Sequence, residues 1–240
     1  MKRAPLLAIT LCLSLAAAAQ RTGCPMADAP LPSGPPGPPP TWTPPFTAPE
    51  KFGDPVPPQQ SRELTPQELG AGEMQRLQES LAKQRANDWV TDVEEGHVSG
   101  LLRMESRVRP EPAPPEAAQV AADVARTPLA AWRLVGYVDT HVKSRAWRMF
   151  RSGDGALFSL EEWNYKADGG AIFQMPGTMN RKVGAHAASL RGMRAPSGCV
   201  LSTLTWYDDR KEYRLEIVGP LDIEAQRAFL MQVGEAIAGR

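Results

Sequence analysis

Fourteen of the 24 prolines fall between Pro25 and Pro58, and that stretch decides which part of the 240-residue chain is able to fold. Proline brings no amide proton to a helix or a ladder and fixes its own φ, so a segment this dense in it holds an extended, polyproline-like course. Residues 25–60 show neither a helical nor a strand period. They read as a disordered spacer whose Trp42, Phe46 and Phe52 are incidental aromatics rather than a docking motif. The folded core must therefore be built from residues beyond 60.

The spacer is preceded by an address. Lys2 and Arg3 lead into an apolar run from Ala4 to Ala19 that ends in the small residues Ala17, Ala18 and Ala19, the pattern of a secretory signal peptide over residues 1–19. The run has 16 residues, fewer than the ~20 that span a bilayer, and no later stretch is longer, so no transmembrane segment is expected after signal removal. Removing it takes away two positive charges and leaves 25 basic against 27 acidic residues. A net charge near −2 argues against a nucleic-acid partner, which calls for a domain-scale excess of Lys and Arg. The expected location is the periplasm or the outside of the cell.

Cys12 leaves with the signal, so the exported chain keeps Cys24 and Cys199 in a compartment where disulfides persist. Three fates are open to Cys24. Lipidation is disfavoured because Gln20-Arg21-Thr22-Gly23 puts Arg21 where a lipid-attachment motif has an aliphatic residue. A Cys24–Cys199 bridge is sterically allowed by the spacer but would close a very long loop. The favoured reading is a tail thiol and a separately packed Cys199.

Thr65-Pro66-Gln67-Glu68 opens the first folded element, with Thr65 as N-cap, Pro66 at the first helical position and Glu68 completing a capping box. This helix is expected to run to about Ala86, with Leu69, Leu77 and Leu81 as a thin apolar stripe and Gly70 and Gly72 weakening its start. Val98 to Val108 reads as a strand, and Glu116 to Arg126 as a short Ala-rich helix. From Leu129 the texture becomes short Trp-, Tyr-, Val- and Leu-rich runs separated by Gly, Asp and Asn, which is the mark of an antiparallel sheet. The expected strands are 132–139, 145–151, 156–166, 171–175, 182–193, 200–207 and 212–218. Asp222 caps a final helix to about Ala238 whose Leu221, Ala225, Phe229, Val233 and Ile237 lie on one stripe. The fold class is α+β: an antiparallel sheet with a C-terminal helix packed on it (129–240), preceded by a helical lead-in (61–128) and the Pro-rich tether (20–60). The lead-in and tether together carry 10 basic and 15 acidic residues, and the sheet region carries 15 and 12, an imbalance that favours their association.

The hairpin Leu204-Thr205-Trp206-Tyr207, a charged turn, and Tyr213-Arg214-Leu215-Glu216-Ile217-Val218-Gly219-Pro220-Leu221 before a closing helix resembles the end of small bacterial envelope domains. Such domains occur in uncharacterised lipoproteins and in anti-sigma-factor or outer-membrane-stress regulators. The resemblance implies fold and compartment, and it brings no catalytic residue with it.

Chemistry is sparse. His97, His141 and His186 are far apart, and Asp139 with His141 is the one acid and histidine pair at strand spacing, read as a solvated strand end rather than a metal or proton site. Ser197-Gly198-Cys199 reads as a turn, not a nucleophile, because no triad signature accompanies it. Glu161 and Glu162 are sequence neighbours on a strand, so they face opposite sides and make no glycosidase pair. Arg145, Arg148 and Arg151 follow the pleat as a solvated face. Phosphate-binding glycine loops are absent, and no cofactor or metal is expected.

The remaining candidate is a surface. Trp147, Phe150, Trp163 and Tyr165 are the candidate binding face; with Trp206, Tyr207, Tyr213, Met149, Met175, Met179 and Met193 they would line a groove. The expected function is a non-enzymatic binding or interaction domain on a tether, whose partner is an envelope protein or surface component. The alternatives are a lipid- or glycan-binding domain with an apolar ligand and, last, a hydrolase-type enzyme.

Overall fold

A computed structural model describes residue 24 and residues 62–105, 107–109, 121–140, 142–219 and 221–239. In chain order its elements are β1 (Arg62–Glu63), α1 (Pro66–Leu69), α2 (Ala71–Ala86), β2 (Val90–Asp92), α3 (Glu95–Glu105) and β3 (Val108–Arg109). Next come a 3-10 turn (Pro128–Ala131), β4 (Arg133–Val138), β5 (Arg145–Arg151), β6 (Leu157–Trp163) and β7 (Phe173–Gln174). The chain closes with β8 (Arg181–Val183), β9 (His186–Arg194), β10 (Val200–Tyr207), β11 (Glu212–Gly219) and α4 (Ile223–Ala238).

Two antiparallel meanders, β4-β5-β6 and β9-β10-β11, join through β11 and β6 to give the order β2-β9-β10-β11-β6-β5-β4-β3, with β8 also on β9. Every pairing in this sheet is antiparallel except that of β2 with β9, so the α+β class and its C-terminal helix stand as expected.

The pleat sorts side chains onto two faces. On one face Phe158, Leu160, Leu204, Trp206, Leu215 and Ile217 pack under Leu230, Val233 and Ile237 of α4. Each fully buried large side chain there contributes about 1.5–3 kcal/mol. Trp206 stacks on Tyr213 with ring centroids 4.7 Å apart, and Gln226, fully buried, accepts from Ser202 Oγ at 2.8 Å and donates to Val200 O. Val233 and Ile237 of α4 are buried as expected and Leu221 and Phe229 are half-buried against the same core, while Gln226 and Leu230 complete the buried stripe in place of Ala225. On the other face Met149, Leu157, Leu201 and Val218 pack against Val98 and Leu101 of α3.

Several expectations fail here for physical reasons. Residues 98–105 are helix, not strand: Val98, Leu101 and Leu102 stand at i, i+3 and i+4 and dock as one stripe, and Val108 alone of that run pairs with β4. Residues 121–126 are not helical; Ala122 instead donates its N–H to both Glu162 carboxylate oxygens (2.8 and 3.0 Å) and accepts from Arg148 Nη2 at its carbonyl. Residues 116–120 lie outside the described residues. The arginines of β5 are not a solvated face either. Arg148 and Glu162, with side chains 7% and 0% exposed, form a buried pair at 2.8 Å, while Arg145 pairs with Glu161 at 3.2 Å and Arg151 with Glu105. The expected strand 182–193 is two, β8 and β9, folded back at Gly184, whose φ of +55° suits glycine.

The lead-in is part of the same body: α3 covers one sheet face, β2 and β3 extend the sheet, and Arg227 of α4 bonds the Asp88 carboxylate and carbonyl. Cys24 is bonded to Cys199 with Cα atoms 4.8 Å apart, which overturns the favoured reading of two separate thiols and rules out lipidation of that sulfur in this form. The rest of the tether lies outside the described residues. Cys24 and Arg62 are both fixed on the domain.

Candidate functional site

Strict alternation along three neighbouring strands builds the most distinctive surface. On β9 Ser189, Arg191 and Met193 point away from α4; on β10 Thr203, Thr205 and Tyr207 do so; on β11 Glu212, Arg214 and Glu216. Register sets them side by side: Thr203 lies between Arg191 and Glu216, and Thr205 between Ser189 and Arg214, with Glu161 next along. Helix α3 covers only the end of this face near Met193, Leu201 and Val218. The hydroxyl-rich half is the floor of a cleft of about 510 Å³, within the ~300–1,000 Å³ range of small-molecule sites.

Phe173, Met175 and Met179 form the opposite wall, with Gln84 of α2 beside them. The N-terminal residues hold this wall in place. β1 pairs in parallel with β7, Leu64 N–H donates to Gln174 O at 2.8 Å, and Gly177 N–H donates to Glu63 Oε1 at 2.7 Å. Gly177 has φ +71°, and a Cβ there would stand 3.2 Å from Leu81 Cδ1, so the turn nests directly on α2. The capping box of Thr65 and Glu68 forms as the sequence implies, and Glu68, hydrogen-bonded by Arg62 and Thr65, drops to about 2.

The cleft's electrostatics are mixed. Arg214 donates Nε and Nη2 to Glu216 Oε1 at 3.0 and 2.6 Å; burial works to lower its guanidinium, and Glu216, Glu161 and Glu212 outweigh that and raise it. Burial pushes the Glu212 carboxyl up, helped by Glu161, and pushes Glu161 up against the opposing pull of Arg145. Tyr207 is pushed up to about 12 by burial and then by Glu212, so its hydroxyl stays a hydrogen-bond donor at any physiological pH. Arg191 donates Nε to Ser189 Oγ at 3.0 Å, and burial lowers its guanidinium.

The edge of β9 beside the cleft is closed to strand addition. Asn180 donates Nδ2 to Leu190 O and accepts from Leu190 N–H, both at 2.8 Å, while Ala188 O and Gly192 N–H bond Asn180 N–H and Trp89 O. No free ladder rung is left over residues 188–192 for an incoming strand.

The four residues of the expected binding face do not come together. Trp147 and Trp163 share the cleft-side face of the sheet, but Trp147 packs into the α3 cluster, and Trp163 carries Arg145 over its ring at 5.1 Å and donates Nε1 to Asp168 at 2.6 Å. Phe150 lies on the opposite face in the α4 core, edge-on to Phe158. Tyr165, 0% exposed, comes after the end of β6 and donates its hydroxyl to Asp208 O at 2.7 Å. Of the wider set Tyr207, Met175, Met179 and Met193 line the cleft, whereas Trp206 and Met149 are buried elsewhere. Sequence reading missed Ser189, Arg191, Thr203, Thr205 and Arg214; their alternation was visible, but their adjacency depends on the register of three strands.

The other candidates are accounted for. Asp139 is exposed and pairs with Arg109 at 3.4 Å, and His141 lies outside the described residues. Ser197 donates to Glu95 Oε1 at 2.7 Å within a turn closed by the Gly198 N–H to Ala195 O bond, and Cys199 is bridged. Glu161 and Glu162 do point to opposite faces. Among the described residues no group of three His, Cys, Asp or Glu side chains is placed to hold a metal ion, and no helix is long and apolar enough to cross a membrane. No family model, no characterised protein and no solved structure matches the chain.

Proposed function

We propose that the chain is an exported binding module of the bacterial cell envelope that holds its ligand in the cleft between the β9-β10-β11 floor and the Phe173–Met179 wall, and that it works by binding rather than by catalysis. One observation carries the reading: half of one sheet face, furnished with hydroxyls and guanidinium groups, is left uncovered by α3 and lines a ligand-sized cleft together with a methionine-bearing loop and Gln84 of α2. The N-terminal address segment supports export, and so does the Cys24–Cys199 bridge, which belongs to an oxidising compartment. The resemblance of the closing hairpin and helix to small envelope domains points the same way.

Chemistry at the cleft favours binding. Arg214 on its floor is paired with Glu216, burial pushes the Glu212 carboxyl up, and Tyr207 is held neutral. The test is a photo-crosslinking amino acid placed at Thr205, compared with one at exposed Ala228 on α4, in cells that export the protein. A specific adduct is expected from position 205 and none from 228. No adduct at 205, or equal adducts from both positions, overturns the reading.

A further inference from the structure

We infer that the occupant of this cleft is a small amphiphilic carboxylate, with its anionic head on Arg191 and its apolar body along Phe173, Met175, Met179 and Met193. The inference rests on the cleft being the binding site and adds the chemistry of what it holds.

The cleft floor carries two arginines in different states. Arg214 is neutralised by Glu216. Arg191 spends its Nε on Ser189, and among the described residues no carboxylate lies within 4 Å of its guanidinium. Its two terminal nitrogens are a planar fork suited to the two oxygens of a carboxylate, a pairing about twice as strong as a neutral hydrogen bond. Thr203 lies directly across the strand from it, and Thr205 and Tyr207 continue the row, so hydroxyl donors flank the same spot. Charge complementarity therefore selects an anion at this end. Glu212, the acid lining the cleft, stands on β11, beyond β10 from Arg191.

The opposite wall selects the rest of the ligand. Phe173 and Met175 are 46% and 39% exposed, two of the large apolar side chains the fold leaves most open, and both turn into the cleft with Met179 and Met193. Thioether side chains are flexible and polarisable, which suits a chain or ring of variable shape. A ligand that is charged at one end and apolar along its body satisfies both walls; a glycan would leave the methionines unused, and a cation would face an unpaired guanidinium. Because Asn180 closes the strand edge, affinity has to come from side chains and not from an added strand.

The same chemistry is presented by a free fatty acid and by the apolar C-terminal residue of a short peptide. Calorimetry on the oxidised full chain uses three probes: dodecanoate below its micellar concentration, dodecyltrimethylammonium as the same tail with the opposite charge, and acetyl-Leu-Phe as the peptide acid. One or both acids are expected to bind, and the cation is not. Dodecanoate alone indicates the acyl source, and the dipeptide alone indicates the peptide source. Arg191→Gln is expected to weaken the acid at least tenfold without changing the unfolding midpoint, while Arg194→Gln, off the cleft on the same strand, leaves affinity unchanged. Failure of both acids to bind, equal binding by Arg191→Gln, or binding of the cation as tight as that of the acid overturns the inference. If a crosslinked adduct still forms at position 205, the carboxylate assignment falls while the cleft reading stands.

Discussion

Removing the Cys24–Cys199 bridge should be the most damaging single covalent change to this domain. The two cysteines are 175 positions apart, and the chain-entropy treatment of a loop of that length gives about 5 kcal/mol at 25 °C. Whole domains are stable by only ~5–15 kcal/mol, so the bridge decides whether the fold persists under stress. The loop contains α3 and every sheet strand before β10, so reduction releases the unfolded chain over most of its length. With a urea slope of about 3 kcal/mol per molar for a domain of this size, the midpoint should fall by about 1.5–2 M. The assay is urea unfolding monitored by tryptophan fluorescence, with and without reductant, on the natural chain and on Cys24→Ser. The variant should match the reduced natural protein and ignore reductant. A natural chain whose midpoint does not move on reduction, or a Cys24→Ser variant as stable as the oxidised protein, would show that the bridge does not constrain the unfolded chain in this way.

Three further outcomes are expected. Glu162→Gln or Arg148→Met should each lower stability by ~3–5 kcal/mol in urea titrations, because each leaves the other half of a buried pair and the Ala122 backbone unsatisfied, and the double variant Arg148→Met/Glu162→Leu should lose less than the sum of the two. Trp206→Ala should lose ~3–5 kcal/mol by emptying a fully buried site stacked on Tyr213. Glu161 and Glu212 are raised above the ordinary glutamate value, so the folded state keeps protons that the unfolded state has released. Their contribution is fully present below about 4.5 and is lost as pH rises through their folded values, so the urea midpoint should fall across that window. The fall should be shallower in Glu161→Gln/Glu212→Gln, and an equal slope in that variant would contradict the assignment.

Local rules carried the fold where they acted alone. β5 and β10 fall on the expected residues because alternation along them is uninterrupted, and α4 begins where Asp222 accepts from Ala225 N–H. They failed where a partner decided the outcome. The run from Val98 to Met104 has β-branched and apolar residues that suit either period, and only docking on Met149 and Leu157 selects the helix. β2 is three residues long and exists because Gly192 N–H reaches Trp89 O, a contact with no local signal. Ala122 would extend an Ala-rich helix, but the Arg148–Glu162 pair takes both of its backbone groups.

The candidate site divides the same way. Counting aromatics drew attention to Trp147, Phe150, Trp163 and Tyr165, yet parity alone separates Trp147 from Phe150, and Tyr165 lies past the end of its strand. The polar residues of the floor are ordinary when read one strand at a time. They become a site only when β9, β10 and β11 are laid in register and the chain around residue 175, pinned by β1, closes over them.

Where the protein binds can be read from an amide and methyl NMR titration of the oxidised protein with whichever of dodecanoate and acetyl-Leu-Phe binds it. Saturable shifts are expected at Ser189, Arg191, Thr203, Thr205 and Tyr207 and at the methyl groups of Met175, Met179 and Met193, with α4 unmoved. Saturable shifts confined to α4 or α3 would contradict the claim that this cleft is where the protein binds.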